Sequence, residues 1–164
     1  MAQFQEMDDL HPIDLVQSLA QSREWIFERT HDDQIAVVVE GLWQQYAISL
    51  VWSEPNETLR LVCSFEFAPP ENRFPALYET LNLANDRCWS GAFTYWHDQQ
   101  SMAFIYGLNL AGGAVASPEQ VDEVLRISVA TCEKLYPAFQ LVSWGDARPV
   151  EALEMAIVEG YGRA

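Results

Sequence analysis

Residues 70–110 contain one segment with the hydrophobic periodicity of a helix, followed by two segments with strand character. This combination restricts the fold more than any other feature of the chain. Apolar residues recur every three or four positions across residues 74–88, which predicts an amphipathic helix. Gly91 ends that pattern. Residues 93–96 have strand composition, and apolar residues alternate strictly across residues 102–110. We therefore expect a helix that packs across the sheet to which the following β-hairpin belongs.

Four more strands are predicted upstream of that helix. They cover residues 24–30, residues 34–40, a segment starting at Trp43, and residues 58–67. In the last of these, apolar residues alternate with polar ones, which is typical of an antiparallel strand with one buried and one wet face. The connections are short, so the four strands are expected to pair in sequence order.

Helices are predicted at both ends of the chain. A first helix opens at His11-Pro12, and a capping box at Ser117-Pro118-Glu119-Gln120 starts a long one. Pro137 is expected to kink or stop this helix. Residues 138–144 then fit a continued helix or a short strand, and we favour the helix. A last helix is predicted over residues 149–159.

These elements predict an α+β fold: an antiparallel sheet of about six strands with helices packed on it. The order is α-ββββ-α-ββ-α(-α). Residues 11–162 are expected to form a single domain. Residues 1–10 are polar and acidic, and we expect a flexible N-terminus there.

The net charge of −15 restricts the classes of partner. Nucleic acid and anionic membrane surfaces would be repelled, whereas a basic or neutral protein partner is favoured. Residues 1–10 show neither the basic nor the apolar region of a secretory signal, so we expect none, and no apolar run reaches about 20 residues. Three cysteines lie far apart in apolar patterns, as expected of reduced thiols. The sequence thus predicts a cytoplasmic protein.

No pattern in the sequence indicates catalysis, a metal site or a cofactor. The three histidines lie in separate elements and lack metal-ligand spacing. Cys88 with His97 is the one conceivable nucleophile and base, but Cys88 lies near a helix C-terminus, where the helix dipole opposes a thiolate. Gly112-Gly113 lacks the lysine of a phosphate-binding loop. We expect no catalytic, cofactor-binding or metal-binding residue.

Six tryptophans are a large aromatic content for this length. Indole N–H groups need partners, so some of these rings are expected at an interface or groove. The candidate surface for a partner or a second copy consists of Trp89, Phe93, Tyr95, Trp96, Phe104, Tyr106 and Trp144.

Several segments resemble the YbjN-domain family, over about residues 11–162. They are "HPIDLVQSLA", "ETLRLVCSFEF", "PPENRFPALYETLNLANDRCWSGAFTYW", "YGLNLAGG", "SPEQVDEVL" and "YPAFQLVSWG". The resemblance implies a bacterial sensory-transduction regulator with a fold similar to type III secretion chaperones. Those chaperones are small acidic homodimers that bind segments of partner proteins. The extra last helix departs from the simplest chaperone pattern, and the family supplies no active-site residues.

Three functions follow in order of preference. The first is a non-enzymatic regulator or chaperone-like protein, acting as a homodimer that buries an apolar segment of a partner protein. The second is a small-molecule sensor with a pocket between the helix of residues 70–88 and the sheet. The third is an enzyme of unrecognised type.

Overall fold

The computed structural model describes residues 11–161, with side chains through residue 157. It confirms the predicted α+β class, the six strands and their order with the helices. The expectations for residues 1–10 and for residue 162 lie outside the described residues. The elements are α1 (Pro12–Ser22), β1 (Ile26–His31), β2 (Gln34–Glu40), β3 (Gln45–Ser53), β4 (Thr58–Glu66), a 3₁₀ turn (Glu71–Arg73), α2 (Phe74–Arg87), β5 (Ala92–Trp96), β6 (Ser101–Asn109), α3 (Pro118–Trp144) and α4 (Pro149–Tyr161).

The six strands form one antiparallel sheet in the order β1-β2-β3-β4-β6-β5. The first four strands pair in sequence order, as their short connections predicted. The β5–β6 hairpin then joins through β6, which pairs with β4 and leaves β5 at the edge. A row of apolar side chains crosses the buried face through Val37, Ile48, Cys63, Phe104 and Phe93.

Two helix starts follow their sequence signals. His11 caps α1, because its Nδ1 accepts the N–H of Ile13 at 3.2 Å. At the start of α3, Ser117 Oγ accepts the N–H of Gln120 at 3.1 Å, and the Gln120 side chain accepts the N–H of Ser117 at 2.9 Å. This reciprocal pair is the predicted capping box.

Helix α3 does not stop at Pro137 but continues to Trp144. The prediction that residues 138–144 are helical is therefore confirmed. Proline removes one N–H bond, to the carbonyl of residue 133. Its helix-breaking effect is outweighed because Ala138, Phe139 and Val142, just beyond it, are completely buried.

Two strand starts lie later than predicted. Strand β3 begins at Gln45, and Trp43 lies in the preceding turn, where the N–H of Gly41 donates to the carbonyl of Gln44 at 2.8 Å. Strand β1 begins at Ile26, since the N–H of Trp25 still donates to Ala20 at the end of α1. In both cases, strand-forming side chains belong to turns that side-chain composition alone does not reveal.

The core lies between one face of the sheet and the helices. Phe139 of α3 is completely buried, and its ring lies 5.1 Å from Phe93 of β5 and 6.4 Å from Phe67, measured between centroids. Helix α4 packs on α2 and α3, with Ala152 and Leu153 buried. The sheet is thus covered on one face, and α4 adds a further layer beyond α2 and α3.

We predict that Gly41→Ala destabilises the fold. A Cβ at this position would overlap both the Glu133 carboxylate and the ring of Tyr46. Overpacking of this kind costs about 1–3 kcal/mol in the free energy of unfolding, measured by denaturant titration. Gly107→Ala is the matched control, because its Cβ would make only an ordinary contact with Thr58. Equal stability of the two variants would contradict the prediction.

Candidate functional site

The predicted surface residues do not form one surface. Phe93, Tyr95 and Phe104 are buried on the inner face of the sheet, so in this fold they are unavailable to a partner. Their assignment to an exposed surface is wrong, because strand alternation places them toward the helices. Phe93 and Phe104 contact each other, 5.0 Å between centroids, and the Tyr95 hydroxyl donates to the carbonyl of Phe67 at 2.7 Å.

The other four candidates retain exposed surface but lie in different places. Trp96 ends the edge strand β5 and is half-buried. Tyr106, also half-buried, lies beside Glu119 at the start of α3. Trp89 is fully exposed after α2, and Trp144 is 53% exposed at the end of α3. The structure does not bring these four residues together.

Trp144 belongs to an exposed apolar surface that it shares with the turn before β3. Trp43 and Trp144 lie with Pro137, Leu141 and Met155 around a shallow groove of about 600 Å³, which we call the Trp43–Trp144 surface. Trp43 is 42% exposed and Met155 is 51% exposed. Clustered exposed apolar groups of this kind mark sites of interaction with other molecules.

Both tryptophans of this surface are held by the core beneath them. The Trp144 ring meets Phe67 edge-on, with 5.0 Å between centroids. Trp43 stacks on Tyr136 at 6.1 Å, and the Gln44 side chain donates to the Tyr136 hydroxyl at 3.0 Å. Contacts with the core therefore fix both rings in position.

A second groove, of about 440 Å³, lies between the end of α2 and the middle of α3. We call it the Trp89 groove. Its apolar lining comes from α2, α3 and α4, and the exposed side chain of Trp89 lies beside it. Gly91, with φ of 82°, allows the chain to turn sharply from this groove into β5. The lining includes Ala84, Cys88, Ile127, Ala130, Thr131, Leu135 and Ile157.

Among the described side chains, every charged residue that lines the Trp89 groove is basic. These residues are Arg87, Arg126 and Lys134, in a chain with 24 acidic and 9 basic residues. Arg126 is paired with Glu123 at 2.9 Å, which lowers the pKa of that carboxyl. Arg87 and Lys134 form no ion pair with any described residue. Two of the three basic side chains at the groove are thus free of ion pairs within the described part of the chain.

On the outer face of the sheet, away from the helices, the two central rows carry little charge, whereas the adjoining rows contain Glu40, Glu66 and Arg60. One row crosses all six strands through Ile26, Val38, Ala47, Ser64, Ala103 and Thr94. The next row crosses from Ala36 to Ala92 and has its one charge at the edge, on Glu28. Ala47 is exposed in the middle of this face.

The described residues assemble no metal-binding group of three or more His, Cys, Asp or Glu side chains. His97 contacts the hydroxyl of Tyr78 through Nε2 at 2.5 Å. Cys63 and Cys132 are free thiols buried against each other, with their sulfurs 3.9 Å apart, and burial raises the pKa of Cys132 well above its ordinary value. Each of these side chains thus contacts another side chain of the fold.

The Trp89 groove differs in position from the pocket that the sensor hypothesis predicted. That pocket was expected between the helix of residues 70–88 and the sheet, whereas the groove lies between α2 and α3. Sequence reasoning also missed Trp43 as a surface residue, because its side chain suits a strand. Gly41, two residues earlier, was the signal for a turn at that point.

Within residues 11–161, no helix combines the length and apolar character needed to cross a bilayer. A six-stranded antiparallel sheet with helices packed on one face places the protein in the α+β class. The sequence matches the family YbjN, described as "Putative bacterial sensory transduction regulator", over residues 12–141. The chain belongs to this family.

One similar solved structure is "YbjN, a putative transcription regulator from E. coli". It superposes with a TM-score of 0.53 and is 11% identical in sequence, covering 74% of this chain and 85% of that one. At this identity, the comparison shows a shared fold. Among curated proteins, none matches this chain.

We predict that Cys88 alone among the three cysteines reacts with iodoacetamide in the folded protein. Cys63 and Cys132 are completely buried, whereas Cys88 is half-buried beside the groove. Burial raises the pKa of Cys88, and Lys134 offsets part of that shift. The thiolate fraction at pH 8 is therefore smaller than for free cysteine, whose pKa is about 8.5, and alkylation is correspondingly slower.

Mass spectrometry after timed alkylation at several pH values measures both the number of labels and the rate. Lys134→Gln should slow the reaction further, because it removes the charge that stabilises the thiolate. Cys88→Ser should abolish it. Two or more labels on the native chain would contradict the prediction.

Proposed function

We propose that this protein is a non-enzymatic regulator that binds an apolar segment of a partner protein at the Trp43–Trp144 surface. The observation that carries the proposal is the pair of exposed indole rings, fixed by Tyr136 and Phe67 around one groove. Membership of a family described as regulators supports the same conclusion. The likeness to secretion chaperones, which the sequence resemblance implies, fits this mode of action.

The chemistry of the surface favours a segment with bulky apolar side chains. Tryptophans in protein interfaces are frequent hot spots, since one ring buries a large area at low entropic cost. Met155 adds a flexible side chain that adapts to different partner shapes. A groove of about 600 Å³ accepts one or two such side chains from the partner.

The charge of the chain selects what flanks that apolar segment. Asp146 follows Gly145 of the surface, and Glu154 precedes Met155; both acidic residues are exposed. With a net charge of −15, the protein attracts basic residues and repels acidic ones at long range. The expected ligand is an apolar stretch with lysine or arginine beside it.

We also propose that the protein is a homodimer and that the outer face of the sheet is the contact. Two chains of charge −15 repel each other, so they associate best where charge is absent. The two rows through Ala47 and Ser49 form such an area in the centre of the face, with their one charge on Glu28 at the edge strand. Trp96 lies in the adjoining row, together with Glu66. Sheets that pack face to face in this way lie about 10 Å apart.

We expect a photocrosslinker at Met155 to capture a partner protein in cells of the natural host. Trp43→Ala and Trp144→Ala should each reduce the yield of that adduct by more than about tenfold, as hot-spot residues do. Tyr78→Ala is the matched control, because Tyr78 is 45% exposed but lies outside the surface. An adduct that survives both tryptophan substitutions would reject this surface as the binding site.

Light scattering at micromolar concentration should give about twice the chain mass of 18.6 kDa. Ala47→Glu should return the mass of one chain, because it places a charge in the centre of the outer face. Gln99→Glu, in the exposed turn between β5 and β6, adds the same charge elsewhere and should remain dimeric. A single-chain mass for the unmodified protein would refute dimerisation.

A further inference from the structure

We propose that the Trp89 groove is a binding site for a small amphiphilic anion, a molecule with an apolar body and one carboxylate or similar head group. Its volume of about 440 Å³ lies within the range of small-molecule sites. Among the described residues, it shares no lining side chain with the Trp43–Trp144 surface. The inference therefore stands independently of partner binding.

The apolar body of the ligand is matched by the floor of the groove. Ile127, Ala130 and Lys134 follow one stripe of α3, at the spacing that faces a single direction. Ala84 of α2 and Ile157 of α4 close the other sides. The opposite side of α3 packs in the core. This stripe instead lines the groove, where a ligand can contact it.

The charge of the groove selects an anion. Lys134 is the single lysine of the chain, and it lies near enough to Cys88 to stabilise that thiolate. Arg87 is the residue before Cys88, at the end of α2. Two cations without ion-pair partners among the described residues therefore stand at the same end of the groove, where an anionic head group would satisfy both.

The third cation gives the ligand a direction. Arg126 precedes Lys134 by eight residues, which is about 12 Å along a helix. Because Glu123 already neutralises Arg126, that end of the groove attracts an anionic head group more weakly. The head group is thus expected at Arg87 and Lys134, with the apolar body running along Ile127 toward Arg126.

Octanoate, and octan-1-ol as its neutral analogue, test the proposal on the full chain by isothermal calorimetry. Octanoate should bind at least about tenfold more tightly than octan-1-ol, as one charge-assisted hydrogen bond implies. The preference should disappear in the double variant Arg87→Gln/Lys134→Gln. It should persist in Arg60→Gln/Arg148→Gln, which removes the same charge from exposed positions outside the groove.

Protection of Cys88 from iodoacetamide locates the bound molecule. Saturating octanoate should slow alkylation of Cys88 in the unmodified protein and have no effect on its rate in Arg87→Gln/Lys134→Gln. Equal affinity for octanoate and octan-1-ol, or unchanged alkylation of Cys88, would overturn the proposal. The proposal would also be overturned if an acidic peptide such as FQEMDDL, residues 4–10 of this chain, protected Cys88 from alkylation while octanoate did not.

Discussion

The contact of α3 with the sheet is the interaction on which the other features depend. Tyr136 and Phe139 pack on Phe65, Phe67 and Phe93 through edge-on aromatic contacts. These rings hold a 27-residue helix across strands that lie far apart in sequence. Aromatic pairs of this geometry add to the free energy gained by burial itself. The continuation of the helix beyond Pro137 is a direct result.

Helix α3 contributes side chains to both the Trp89 groove and the Trp43–Trp144 surface. Its middle part lines the Trp89 groove, and its last turns supply Leu141 and Trp144 to the other surface. Even Trp43, which comes from the turn before β3, is positioned by stacking on Tyr136. Sites built on helices keep their side chains in place better than sites built on free loops.

The sequence predicted the fold well because its signals are local. Alternation in residues 58–67, the capping box at Ser117 and the helical repeat of residues 74–88 each specify an element within a few residues. Pairing in sequence order then followed from short connections. Only the ends of strands shifted, where Trp25 and Trp43 belong to turns.

The candidate site could not be predicted in the same way, because it depends on distant residues. Alternation alone does not tell which face of β5 and β6 the helices cover, so Phe93 and Phe104 could not be told from exposed aromatics. In the sequence, two strands and most of a helix lie between Arg87 and Lys134, although both residues line the same groove. What sequence did indicate was that some tryptophans would be exposed, as Trp89 and Trp144 are.

Helix α4 contributes consecutive residues to two different sites. Met155 and Ala156 line the Trp43–Trp144 surface, and Ile157 lines the Trp89 groove. A displacement of this helix would therefore alter both sites together. Suppose that a ligand of one site favours one position of α4 and thereby changes the affinity of the other site for its own ligand. By thermodynamic linkage, the second ligand then changes the affinity of the first site by the same factor. The two proposed binding equilibria therefore meet in a single turn of α4.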